Sequence, residues 1–134
     1  MPHPHDLPAL DGATALMDWF GFWPSFHDCE IIGIDLQRHE VSRLQIHAFA
    51  SGPRLDDQGY FERTKDSLVT FSFGDIVFLE LAAEDFHRQN VISELNVTKS
   101  DATTTVAWNS SYGLAGRIEA KQVSVSLVGG IPNG

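Results

Sequence analysis

The residues best suited to chemistry lie in one short stretch, Trp23-Pro24-Ser25-Phe26-His27-Asp28-Cys29-Glu30. A histidine beside two carboxylates can serve as a general base with an orienting acid, or as part of a metal site. A metal would need at least one further ligand, and His39, His47 or Glu80 would supply it only if strand pairing brings them close. The negative charges of Asp28 and Glu30 disfavour the thiolate that a nucleophilic Cys29 would need, so a buried, inert thiol is expected even with His27 within reach. A structural role for His27 and Asp28 fits better. They would close the connection into the first strand by bonding to backbone where Pro24 prevents regular structure. With one cysteine the chain can form no internal disulfide and carries no CxxC pair for zinc. GxSxG, HExxH, GxGxxG and phosphate-cradling glycine loops are all missing, and no cofactor is expected.

The elements that must position this stretch can be read on either side of it. Asp11-Gly12-Ala13-Thr14 opens a short helix in which Leu16, Trp19 and Phe20 share one face. Gly21 suits its C-terminal stop and Pro24 its exit. From Asp28 onward the pattern is that of strands. Ile32, Ile34 and Leu36 alternate with polar or small residues, as do Leu44, Ile46 and Ala48. Residues 51–65, with Gly52, Pro53, Asp56, Asp57 and Gly59, predict a long loop. Val69, Phe71 and Phe73 form the next apolar face. Gly74-Asp75 then predicts a hairpin turn, with Val77, Leu79 and Leu81 returning. Ala82–Asn90 suits either a single helical turn or a polar loop.

Leu95 and Val97, Val106 and Trp108, and Leu114, Ile118 and Ala120 continue the series. Val123, Val125 and Leu127 have the opposite parity to Leu114, Ile118 and Ala120, so one extra residue is expected near Lys121-Gln122. The expected fold is α+β and mostly β, with about seven mainly antiparallel strands in a curved meander and one short N-terminal helix packed on it. Residues 1–10, with Pro2, Pro4 and Pro8, predict a flexible arm; 11–128 a single globular domain; and 129–134 a tail. The aromatic group Trp19, Phe20, Phe22, Trp23 and Phe26 is expected mostly to seal the helix against the sheet.

The 134 residues carry nine Lys and Arg against eighteen Asp and Glu, a formal charge of −9. Binding to nucleic acid or an anionic membrane requires the opposite balance, whereas a basic protein partner would be drawn in faster. No apolar run exceeds about five residues, where a membrane helix needs roughly 20. Met1–Asp6 carries neither lysine nor arginine and no apolar stretch follows, so a secretory signal is not expected and the cytoplasm is the expected compartment. Asp56, Asp57, Tyr60 and Glu62 form the candidate partner-binding surface, with an aromatic anchor among acidic groups. Solvation alone would also explain that loop.

The segment Phe20-Gly21-Phe22-Trp23-Pro24-Ser25-Phe26-His27-Asp28 resembles the opening motif of the immunity protein 50 family, F-G-x-W-P-x-F-H-D followed by an acidic residue and a strand. Further similarity lies in Leu44–His47, Val69–Phe73, Phe86–Ile92 and Tyr112–Gly116. The chain departs from the pattern at Cys29, where a small residue such as alanine is expected, and in its His/Pro-rich start. The resemblance implies a non-enzymatic bacterial antitoxin of a polymorphic toxin system, made in the cytoplasm to bind a cognate toxin domain; a monomer or weak dimer is expected. The motif residues Trp23, Pro24, Phe26, His27 and Asp28 come with it, but no catalytic residue does. Two other readings stand beside it from the residues alone. One is a small metal-dependent or acid–base enzyme using His27 and Asp28. The other is a curved-sheet ligand-binding module, which would need an apolar cavity inside the sheet.

Overall fold

Apolar residues at alternate positions along successive segments can all be buried only if the sheet curls around them. In the computed structural model the strands do close into a barrel. The structure describes residues 10–55, 59 and 61–132, with backbone alone at 51–55 and 61–63. Helix α1 (Ala13–Phe20) is followed by β1 (Glu30–Asp35), β2 (Ser42–Leu55), β3 (Phe61–Ala82), β4 (Val91–Ser100), β5 (Thr103–Tyr112) and β6 (Ala115–Gly129). All strand pairs are antiparallel, and the order around the barrel is β1-β2-β3-β6-β5-β4. The α+β, mostly β expectation therefore holds, with six strands in place of about seven.

The difference lies at Gly74-Asp75. The expected hairpin does not form there, because both apolar runs find partners in the same long strand. Val69, Phe71 and Phe73 lie opposite Leu127, Val125 and Val123, while Ile76–Ala82 continues along Ala120–Ala115. Asp75 takes a left-handed backbone conformation, φ 56°. A register shift follows between Ile76 and Phe78. The chain thus bends at this point without reversing. The change of face expected near Lys121-Gln122 is present, since Ala120 is buried, both of those residues are exposed, and Val125 is buried again. The register irregularity that accompanies it sits on β3.

Three further expectations are corrected. The order is not a simple meander, because β3 pairs with β6 and residues 83–90 carry the chain across to β4. The long loop at 51–65 is mostly ladder: Ser51 pairs with Arg63 and Leu55 with Phe61, so neighbouring-strand hydrogen bonds override the local glycine and proline signal. In β1, Ile31 is the buried residue, with Ile32 and Ile34 half-buried and Leu36 exposed. A register shift between Ile31 and Gly33 changes the inward parity there. The arm expected at 1–10 lies outside the described residues except for Leu10, which packs against the core. At the other end, the Gly130 N–H donates to the Asp66 carbonyl at 2.7 Å.

Leu44, Ile46, Val69, Phe71, Val106 and Ile118 fill the interior with no exposed surface. Helix α1 covers the outer edge of β6 where β5 no longer reaches, since β5–β6 pairing stops at Thr104–Ala120. At eight residues the helix is too short to stand alone. Ala13, Leu16 and Phe20 are buried, and the Val125 N–H donates to the Asp11 carbonyl at 2.8 Å. Gly12 comes so close that an added Cβ would overlap the Val125 carbonyl oxygen. On the helix's other flank, the Trp19 indole N–H donates to the Lys65 carbonyl at 3.1 Å, and the Lys65 ammonium lies 5.0 Å from the Trp19 ring centroid.

Candidate functional site

The connection from α1 to β1 carries the motif, and its geometry follows from how the helix ends. Gly21 caps it as expected, φ 85°, donating its N–H to the Met17 carbonyl at 2.7 Å. Pro24 is buried and bars a return to helix. Phe26 and Asp28 then take left-handed conformations, φ 63° and 66°. That is uncommon for any residue with a Cβ and unfavourable for a bulky one. Phe26 is held there by burial. Its ring lies edge-on to Trp23 at 6.1 Å and to Phe71 at 5.8 Å.

The two left-handed residues turn the backbone polar groups toward β4. The Asp28 N–H donates to the Ile92 carbonyl, the Ile92 N–H to the Cys29 carbonyl, and the Ile31 N–H to the Asn90 carbonyl, each at 2.8 Å. One turn earlier, the Leu95 N–H donates to the Ser25 carbonyl at 3.1 Å. The registered pairing of β1 with β4 is a single position, Glu30 with Val91. The motif loop therefore supplies much of the seam that closes the barrel. Its role in the fold is that of a clasp.

His27 belongs to the same clasp. Its Nδ1 lies 2.8 Å from the Ser93 carbonyl. A carbonyl only accepts, so Nδ1 carries the hydrogen. Nε2 is left 3.5 Å from the Asp28 carboxylate, and both side chains are exposed, at 64% and 62%. His47 lies elsewhere, with its Nε2 2.8 Å from Asp66 on β3. The two histidines thus have separate partners, and among the described residues no three His, Cys, Asp or Glu side chains group as a metal site. Cys29 is buried, its sulfur 4.0 Å from the Phe49 carbonyl.

The aromatic group divides. Phe20 and Phe26 are buried, Trp19 and Trp23 half-buried, and Phe22 is exposed. Of the acidic surface candidates, Asp56, Asp57 and Tyr60 lie outside the described residues, and Glu62 is described in backbone only, as part of β3. The barrel interior is filled by side chains. A cavity of about 940 Å3 lies against the connection from β3 to β4 and the β5–β6 turn, lined in part by Glu84, Asp85, Arg88 and Tyr112.

Sequence reasoning missed the partners of the motif, Ile92, Ser93 and Leu95, because each lies far along the chain. It also missed the exposure of Val77, Phe78 and Leu79. They sit in a run of four consecutive apolar residues, Ile76–Leu79, which fits no two-residue period and was the available signal.

No curated protein and no solved structure matches the chain. A family model does match, that of immunity protein 50, over residues 12–129. The match runs from the glycine seated against Val125 to the last residue of β6, and so takes in the helix, the clasp and every strand. The clasp and the barrel it closes are those of a chain that belongs to the immunity protein 50 family.

Proposed function

We propose that this chain is a non-enzymatic immunity protein of the bacterial cytoplasm, which neutralises a cognate toxin domain by covering its working surface. Membership of the family over residues 12–129 is the observation that carries the proposal. The charge of −9 agrees with it, because an acidic protein is steered toward a basic groove and competes there with whatever anion the groove normally holds. Asp56, Asp57, Tyr60 and Glu62, which fall between β2 and the start of β3 in the chain, are the steering group in this reading.

The test is survival. Cells expressing the toxin domain encoded beside this gene should grow when the chain is co-expressed and die without it. Equal killing with and without the chain would overturn the proposal, as would turnover of a substrate by the purified chain alone.

A further inference from the structure

Every strand edge in a small barrel needs a neighbour, a cover or a guard, because unpaired N–H and C=O groups invite another strand. The outer edge of β6 is covered by α1 and Asp11, and the β1–β4 seam is closed by the motif loop. The second half of β3 has β6 on one side and no paired backbone on the other, where Leu36–Ser42 faces Ile76 and Leu79 only across a cavity of about 340 Å3. Its pairing with β2 ends at Ser42–Phe73, and from Ile76 to Ala82 it pairs with β6 alone. Among the described residues no turn or loop backbone group bonds to Ile76–Ala82. The segment contains no proline and no lysine, and Glu80 is its single charge. Val77, Phe78 and Leu79 stand 53%, 42% and 42% exposed. The Arg117 guanidinium lies 5.1 Å from the Phe78 ring centroid. Seven residues offer an edge of about 23 Å, long enough for a full strand to pair.

We infer that Ile76–Ala82 of β3 is a docking edge that accepts a lysine- or arginine-bearing strand of the partner toxin domain, adding it to the sheet. The partner's class rests on the immunity reading. Its charge follows from the flanks: Asp75, Glu80, Glu84 and Asp85 are all exposed along the edge and the turn after it. Of the basic residues nearby, Arg117 lies over Phe78 and opposite Glu80, Arg38 lines a cavity with Glu40, and Arg88 lines another with Glu84 and Asp85, so acidic groups outnumber the basic ones left over. A second copy of this chain fits less well. Antiparallel pairing of the segment with itself sets Asp75 of one copy near Glu84 of the other, between molecules of charge −9. The edge holds the partner once it has arrived. The acidic residues between β2 and β3 in the chain act on encounter.

The probe is a ten-residue peptide of alternating lysine and valine, titrated into the full chain while backbone amide NMR shifts are followed. Shifts should centre on Ile76–Ala82. Binding should weaken at least tenfold when glutamate replaces lysine in the peptide, and likewise in Leu79→Lys. Val77→Lys is the second variant should Leu79→Lys fail to fold. Shifts centred elsewhere, equal binding of the two peptides, or no binding at all would overturn the assignment. So would a chain already dimerised through this strand. The readout needs no toxin: peptide binding without cell survival removes the immunity reading alone, and survival without peptide binding removes the docking edge alone.

Discussion

Phe26 and His27 stand side by side in the motif, and the structure gives them unequal weight. Phe26 holds an unfavourable left-handed backbone because its ring fills space between Trp23 and Phe71. Phe26→Ala should lose roughly 3–5 kcal/mol in urea unfolding, from lost burial and the cavity left behind. His27 contributes an exposed hydrogen bond to the Ser93 carbonyl. His27→Ala should cost about 1 kcal/mol or less. If His27→Ala proved as damaging as Phe26→Ala, the clasp description would be wrong. The motif and an expected bonding of it to backbone were legible in the sequence, but the strand it meets was not. Its backbone partners on β4 are more than sixty residues away, and no local pattern announces them.

At the level of elements, the bend in β3 decides the architecture. Asp75 sits at φ 56°, where glycine is at ease and a β-branched residue is not. Asp75→Gly should leave the unfolding midpoint nearly unchanged, while Asp75→Val should cost about 1–2 kcal/mol. A hairpin at this site would predict a different result, since a two-residue turn needs glycine at position 74 most of all. Helix α1 gives a second check. Because a Cβ at Gly12 meets the Val125 carbonyl, Gly12→Ala should loosen the helix from β6, seen as faster exchange of the Val125 amide with deuterium. The helix, its stop at Gly21 and most inward faces were readable from periodicity. Strand count was misread at Gly74-Asp75, because a glycine–aspartate pair serves a turn and a bulge equally well.

The whole molecule combines a broad, well-paired ladder with a narrow seam. β3 and β6 pair from Ser67–Gly129 to Ala82–Ala115, whereas β1 meets β4 at one registered position and a few loop hydrogen bonds. Local opening should start at the seam, so the Ile31 and Ile92 amides should exchange faster than those of Val69 and Phe71. Charge also belongs to this scale. Replacing Asp56, Asp57 and Glu62 with lysine should slow association with the toxin at least tenfold at low salt and flatten its salt dependence. Unchanged rates would remove these residues as the steering group.

The amino-acid sequence on its own determined the acidity, the mostly β composition, the short helix with its stop, and the W-P-x-F-H-D segment through which the family was recognised. These are properties of composition, of period, or of residues adjacent in the chain. Tertiary structure alone decided that β3 runs unbroken through Asp75, that the ring closes through the motif loop, and that Ile76–Ala82 is paired on one side only. Each of those depends on which strand lies beside which. Pairing is settled by the joint burial of distant apolar faces, and that energy has no local signature.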